Sequence, residues 1–213
     1  MDIETIIVGE FAVNCFVFWS DERRAAVVDP GSDADKIAAV IDRRDLTVDA
    51  YLLTHGHFDH LCALAELCKD QPAPVFCHAQ DTAWAFTERN QMPPFYGPPE
   101  RPDQPVRPVT DGLAGQAAGF DYRVIETPGH TPGSVCYLFS DEHVLFSGDT
   151  LFAGSIGRTD LPGGNPATMT ASLRKLAELP AEVRVFPGHG PPTTVRNEKK
   201  TNFFMQRGAK IPS

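Results

Sequence analysis

Seven side chains in this sequence are of types, and in places, that suit divalent metals. Four fall within six residues of the stretch Thr54-His55-Gly56-His57-Phe58-Asp59-His60, which holds three of the chain's seven histidines. Gly56 lets the backbone bend sharply between the first two imidazoles. His130, Asp149 and His189 lie far apart in the sequence but share one setting: a β-rich apolar run leads into a glycine-bearing turn beside the residue. His130 is bracketed by two Thr-Pro-Gly turns, a rigid mount for a side chain that must hold its position. The set is therefore His55, His57, Asp59, His60, His130, Asp149 and His189. Seven donors exceed what one tetrahedral ion requires, so the count favours two divalent ions. All are nitrogen or oxygen donors, which suits zinc foremost and leaves iron and manganese open. A sensible division gives His55, His57 and His130 to one ion and Asp59, His60 and His189 to the other. His78 and His143 lack the glycine turn and are expected to fill plain core or surface roles.

Such a pair of ions lowers the pKa of a shared water towards neutrality, generating a metal-bound hydroxide that attacks a carbonyl polarised by the same site. Asp59 is expected to accept the water's proton as a secondary role. With all seven residues assigned as ligands, none remains as an obvious general acid. A thiolate leaves without prior protonation, since a thiol has a pKa of about 8.5, whereas an amide nitrogen needs a proton. The chemistry expected of the site is thioester hydrolysis.

Strands must deliver these residues. Ala50-Tyr51-Leu52-Leu53 reads as a short buried strand ending at the histidine-rich stretch, and residues 58–69 resume helical spacing with Leu61, Leu64, Ala65 and Cys68 on one face. Upstream, strands are expected at 3–8, 12–19 and 25–28, the last stopped by Asp29-Pro30-Gly31. Ser32 and Asp35 resemble a capping box for a helix over 33–44. A strand at 75–77 and a helix at 80–86 follow. Seven prolines between Glu88 and Thr110 then predict a loop without regular structure, carrying Met92, Phe95 and Tyr96, and Asp111-Gly112 predicts a hairpin-like turn. The second half predicts strands at 121–126, 135–139, 144–146 and 183–186. Asn165-Pro166 is an N-cap with proline at the first helical position. The tail 196–207 reads as polar, with an amphipathic turn or two around Phe203 and Phe204. Strands precede helices in both halves, roughly 1–69 and 120–190. That order predicts an α/β chain folded as a four-layer αββα sandwich, one domain over 1–213, with every ligand candidate at one rim.

Composition is that of an ordinary globular chain: 42 % hydrophobic and 22 % charged residues, with a formal charge of −9. The acidic balance, without a basic tract, argues against nucleic acid as partner. No apolar run approaches a membrane span, and Met1-Asp2-Ile3-Glu4 lacks the pattern of a signal peptide. The five cysteines are odd in number, form no CxxC pair and read as buried reduced thiols. These features predict a cytoplasmic protein acting on a small molecule, as a monomer or small homo-oligomer.

The run His55-Gly56-His57-Phe58-Asp59-His60 with His130, Asp149 and His189 resembles the metallo-β-lactamase-fold hydrolases. Val28-Asp29-Pro30-Gly31, Gly148-Asp149-Thr150-Leu151-Phe152 and Gly157-Arg158-Thr159-Asp160 are most similar to the short glyoxalase-II-like subgroup (hydroxyacylglutathione hydrolase-like). The resemblance covers nearly the whole chain. It implies the αββα fold, a metal pair with the division above, Asp149 as the bridging ligand, and catalytic weight on Asp59 and Asp149. It also implies a thioester substrate, such as a glutathione conjugate, with Arg158 as a substrate-binding cation. Glyoxalase II itself carries a further helical domain that holds glutathione, and about twenty residues follow His189 here. Pro191 and Asp160 stand where that enzyme has tyrosines. The same motif also resembles mononuclear-iron persulfide dioxygenases, which would use His55, His130 and Asp149 as a facial triad. β-Lactam cleavage and nuclease activity fit the pattern less well, the first because His60 and Asp149 occupy positions that antibiotic-cleaving relatives fill otherwise.

Overall fold

In the computed structural model, which describes residues 1–206 and 211, the β-rich runs of the first half form one sheet. Its strands are β1 (Asp2–Val8), β2 (Val13–Trp19), β3 (Arg24–Val28), β4 (Thr47–Leu52), β5 (Val75–His78) and β6 (Val106–Val109), hydrogen-bonded in that order. The second half forms another: β7 (Ala114–Ala117), β8 (Phe120–Glu126), β9 (Val135–Phe139), β10 (Val144–Gly148), β13 (Arg184–Pro187) and β14 (Thr193–Thr194), in the order β14-β13-β10-β9-β8-β7. Two short strands, β11 (Leu151–Phe152) and β12 (Ser155–Ile156), make a separate ribbon.

Period-two alternation decides what each face meets. Phe16, Phe18, Ala26, Val28, Ala50 and Leu52 turn inward, against Val135, Tyr137, Phe139, Val144 and Phe146 of the second sheet. Aromatic rings interlock there, Phe18 with Phe139 at 5.0 Å and Phe16 with Phe146 at 5.1 Å between centroids. The alternate residues Cys15, Val17, Val27, Tyr51 and Leu53 face outward onto helices α1 (Ala34–Arg43) and α2 (Leu64–Asp70), through Ile37, Ile41, Leu64 and Leu67. Helix α3 (Ala79–Ala85) follows β5. Cys136, Leu138, Leu145 and Val185 face Met169, Leu173 and Leu176 of α4 (Pro166–Ala177), with Val195 of α5 (Val195–Thr201) beside them. The order helix, sheet, sheet, helix is the predicted αββα sandwich.

Local details depart from the sequence reading. Ser32 does not cap α1: the helix starts after Asp33, whose backbone is left-handed at φ 53°, and no side chain caps it. The Asp33 carboxylate instead accepts from the Gly9 amide at 3.1 Å and pairs with Lys36. The helix expected over 58–69 is broken into a 3₁₀ turn, Phe58–His60, and α2. Between them the Ala63 amide donates to the Pro30 carbonyl at 3.0 Å, tying the segment to the Asp-Pro-Gly turn. The proline-rich stretch is not wholly irregular, since β6 lies within it; as the edge strand it tolerates Pro108. Asp111-Gly112 is a turn between the two sheets, while the hairpin proper joins β7 to β8. The tail forms α5 and a 3₁₀ turn, Phe203–Met205; residue 207 of the expected segment lies outside the described residues.

Candidate metal centre

Strand direction brings the ligand candidates together. β8 and β10 both run antiparallel to β9, and β13 runs parallel to β10, so their C-terminal ends share one edge. His130, Asp149 and His189 follow those three ends, and the histidine-rich stretch follows β4 of the other sheet. Cross-links align the two edges: the Val135 amide donates to the Thr54 carbonyl at 2.8 Å, and the Asn14 amide to the Gly188 carbonyl at 2.8 Å. Gly188 must be glycine, because a Cβ there would collide with Asp149 Oδ1 and approach His60 Cε1 to 2.7 Å.

The seven candidates converge as two trios. His55, His57 and His130 offer nitrogens within 4.8 Å of one another, and so do the ligand atoms of Asp59, His60 and His189. Asp149 lies between them: Oδ2 is 3.5 Å from both His130 Nε2 and His189 Nε2, and Oδ1 is 3.5 Å from His60 Nε2. Four imidazoles have Nδ1 tied to a fixed partner, which leaves Nε2 for the centre. His130 Nδ1 donates to the Arg158 carbonyl at 2.8 Å and His189 Nδ1 to the Phe11 carbonyl at 3.1 Å. His60 Nδ1 donates to Asp29 Oδ2 at 3.0 Å. Thr54 gives its hydroxyl proton to Asp29 at 2.6 Å, so its oxygen accepts from His55 Nδ1 at 3.1 Å. His57 is the exception and presents Nδ1, 2.8 Å from His130 Nε2.

This arrangement fits divalent cations. His55 Nε2, His60 Nε2 and Asp149 Oδ1 are buried without any hydrogen-bond partner, a costly state for groups aimed at one another unless a cation joins them. Burial pushes His55 and His57 down, the latter to about 3, so both offer lone pairs at neutral pH. Burial would also lower His60, but the carboxylates of Asp149, Asp59 and Asp29 outweigh it and hold the imidazole up. Burial would raise Asp149, and the surrounding imidazoles, His60 first, pull it down instead. Asp29 also lies within ligand distance of His55 and His60. Its two oxygens already accept from the Thr54 amide, the Thr54 hydroxyl and His60, so it orients ligands rather than joining them.

Arg158 reaches the centre through its carbonyl; its guanidinium forms a two-pronged exposed pair with Asp160, both contacts at 2.7 Å. His143 is exposed in a turn, and His78 caps α3 and meets Glu126 at 3.1 Å, neither near the trios. Sequence reasoning missed the supports. Asp29 had a signal, an aspartate after a buried strand, but Asp-Pro-Gly reads first as a turn. Asp81, buried in α3, accepts from the Gly56 amide, the Gly133 amide and the Thr131 hydroxyl at 2.9, 2.8 and 2.6 Å. Asn90 donates to the Gly56 carbonyl and accepts from the Phe58 amide. Nothing in their local sequence marks either one.

The chain is similar to known proteins. The model described as Metallo-beta-lactamase superfamily matches residues 8–189. Hydroxyacylglutathione hydrolase GloC of Haemophilus influenzae is 35 % identical over 210 residues, covering 96 % of this chain and 98 % of that protein. A crystal structure of BLEG-1 B3 metallo-beta-lactamase superposes with a TM-score of 0.89 at 37 % identity, covering 96 % of this chain and 99 % of that one. TTHA1623 in a di-iron-bound form gives a TM-score of 0.84, also at 37 % identity, covering 94 % and 99 %.

Proposed function

The chain belongs to the metallo-beta-lactamase superfamily, and from that premise we propose that it is a dinuclear metallohydrolase of thioesters, similar in kind to hydroxyacylglutathione hydrolase. His55, His57 and His130 would hold one divalent ion, Asp59, His60 and His189 the second, and Asp149 would bridge them. When bound, the ions supply a Lewis acid for the acyl carbonyl and a water of lowered pKa. The protein's own groups do the rest. The four Nδ1 tethers keep the Nε2 atoms of His55, His60, His130 and His189 aimed at the centre without reorganisation. Asp59, partly exposed at the rim, takes the proton of the attacking water. Water oxygen bonds to the acyl carbon, the carbon–sulfur bond breaks, and sulfur departs with its electron pair as thiolate.

One observation carries the choice of thioester: the ionisable side chains at this rim are already committed. On this assignment seven are metal donors, and the nearby carboxylates Asp29 and Asp81 each accept three hydrogen bonds. Among the described residues there, no acid stands apart from the metal donors to protonate an amine leaving group; the one proton at hand is that which Asp59 takes from the water. The likeness to GloC supports the same reading and points to a glutathione thioester as carrier. Arg158 is a candidate for the carrier's carboxylate, since an exposed surface pair such as that with Asp160 contributes little and is readily exchanged. Five unpaired cysteines, all held up as protonated thiols by burial, fit a reducing, cytoplasmic setting for a single domain over 1–213.

The test is metal analysis of freshly purified protein, with hydrolysis of an acyl-glutathione, its matched amide and a cephalosporin measured beside O₂ uptake with glutathione persulfide. We expect two ions per chain and thioester cleavage at least about a hundredfold faster than amide cleavage, the lower range of what proton donation contributes. Comparable thioester and amide rates, faster cephalosporin turnover, or O₂ uptake without thioester hydrolysis would overturn the reading.

A further inference from the structure

A cleft of about 390 Å³ adjoins the candidate metal centre, with His57 in its lining. Its walls come from separate parts of the chain: Phe58 of the 3₁₀ turn, Trp84 of α3, Met92 of the proline-rich segment, Pro132 beside His130, and Leu161 and Pro162 of the loop after β12. The Trp84 ring sits 5.4 Å from the His57 ring, so the apolar wall begins where the first trio ends. No carboxylate lines the cleft, and its one guanidinium is that of exposed Arg89. Its volume lies in the range of small-molecule sites, roughly 300–1,000 Å³. A cleft of similar size between Asp111 and Lys175 contains none of the ligand candidates.

We infer that this cleft receives the acyl group of the substrate, and that the group is an apolar chain of medium length rather than a small hydroxyacyl unit. The inference rests on the thioesterase reading above. A thioester carbonyl placed between the trios sends its acyl substituent and its thiol carrier along diverging directions from one trigonal carbon. The side walled by Trp84, Met92 and Leu161 rewards a chain that sheds water. A charged peptide-like carrier would lose hydration there and find one cation in return. The same assignment explains why Met92 remains 42 % exposed beside the centre: it is apolar surface kept open for an apolar ligand. Each methylene buried against such walls is worth about fourfold in affinity.

The experiment compares octanoyl-glutathione with lactoyl-glutathione on the metal-loaded protein and on Met92→Glu and Leu161→Glu, which place a carboxylate in the cleft from partly exposed positions. The wild type should favour octanoyl by at least about tenfold in kcat/KM. Each variant should cut that preference at least about tenfold, mainly through KM. A second readout does not depend on turnover. Titrating octanoate should change the tryptophan fluorescence, acetate should not, and Trp84→Phe should abolish the response because Trp19, the chain's other tryptophan, lies in β2 away from the cleft. Equal rates on the two thioesters, a preference indifferent to both variants, or an octanoate response that survives Trp84→Phe would each overturn the inference. If neither thioester is cleaved, the thioesterase reading fails by itself, and the octanoate titration still decides the cleft.

Discussion

Asp149 lies between the two trios, with one oxygen facing His60 and the other facing His130 and His189. Imidazoles repel one another as they charge, and His60 is held up only because carboxylates flank it. Removing the Asp149 carboxylate therefore takes away a candidate ligand and the charge that balances the buried imidazoles. Asp149→Ala should lose at least one ion by metal analysis and nearly all thioester hydrolysis, while His143→Gln, altered at an exposed turn, should keep both ions. Two ions retained in Asp149→Ala would remove its bridging role. The candidate ligands were legible in the sequence because four are packed into one short stretch after a strand and the other three each stand beside a glycine just past a strand end. Their orienting partners were not. The Phe11 and Arg158 carbonyls that fix His189 and His130 are backbone groups, which every residue has. Their role exists only once the chain is folded.

At the scale of elements, the centre depends on loops held in register by residues that touch no substrate. Asp81 reaches from α3 to the histidine-rich loop through Gly56 and to the His130 loop through Thr131 and Gly133. Burial pushes its carboxyl up, and these three donors pull it back. A Cβ on Gly133 would meet the Asp81 carboxylate at 2.6 Å, a measure of how closely the loop packs on it. Asp81→Ala leaves the buried Gly56 and Gly133 amides unpaired, each such group costing about 1–3 kcal/mol, while the Thr131 hydroxyl can still turn to Ser134 at 2.8 Å. We expect a loss of at least about 2 kcal/mol in urea unfolding, together with weaker binding of the ion assigned to His55, His57 and His130. Asp81→Asn, which keeps an acceptor, should lie between. Unchanged metal affinity in Asp81→Ala would show that the two loops hold their places independently. The strands and α4 were readable from periodicity and the Asn165-Pro166 cap, whereas the break at Leu61–Ala63 follows from a bond to Pro30 over thirty residues away. Periodicity carries no trace of such a contact.

Across the whole molecule, the site joins the two halves of the sandwich. The first sheet supplies His55, His57, Asp59 and His60, the second supplies His130, Asp149 and His189, and each trio needs at least one residue from both. The halves meet elsewhere through the aromatic layer of Phe16, Phe18, Phe139 and Phe146, which includes none of the ligand candidates. The metal-free chain should therefore fold, and the ions should add a cross-link at one rim. A ligand that binds only the folded state stabilises by about 4 kcal/mol when its free concentration is a thousandfold above Kd. For a chain of this size each kcal/mol raises Tm by about 2–4 °C. Scanning calorimetry of chelated and metal-loaded protein should thus show two folded forms whose Tm values differ by roughly 8–16 °C. His130→Ala, which deletes the second sheet's contribution to the first trio, should shrink that difference, while Phe203→Ala, at an exposed position in the tail, should leave it unchanged. An equal Tm in the presence of the metal would mean that the folded chain does not bind the ions in preference to the unfolded one. An unfolded chelated protein would mean that the aromatic layer between the sheets cannot hold them together without the ions.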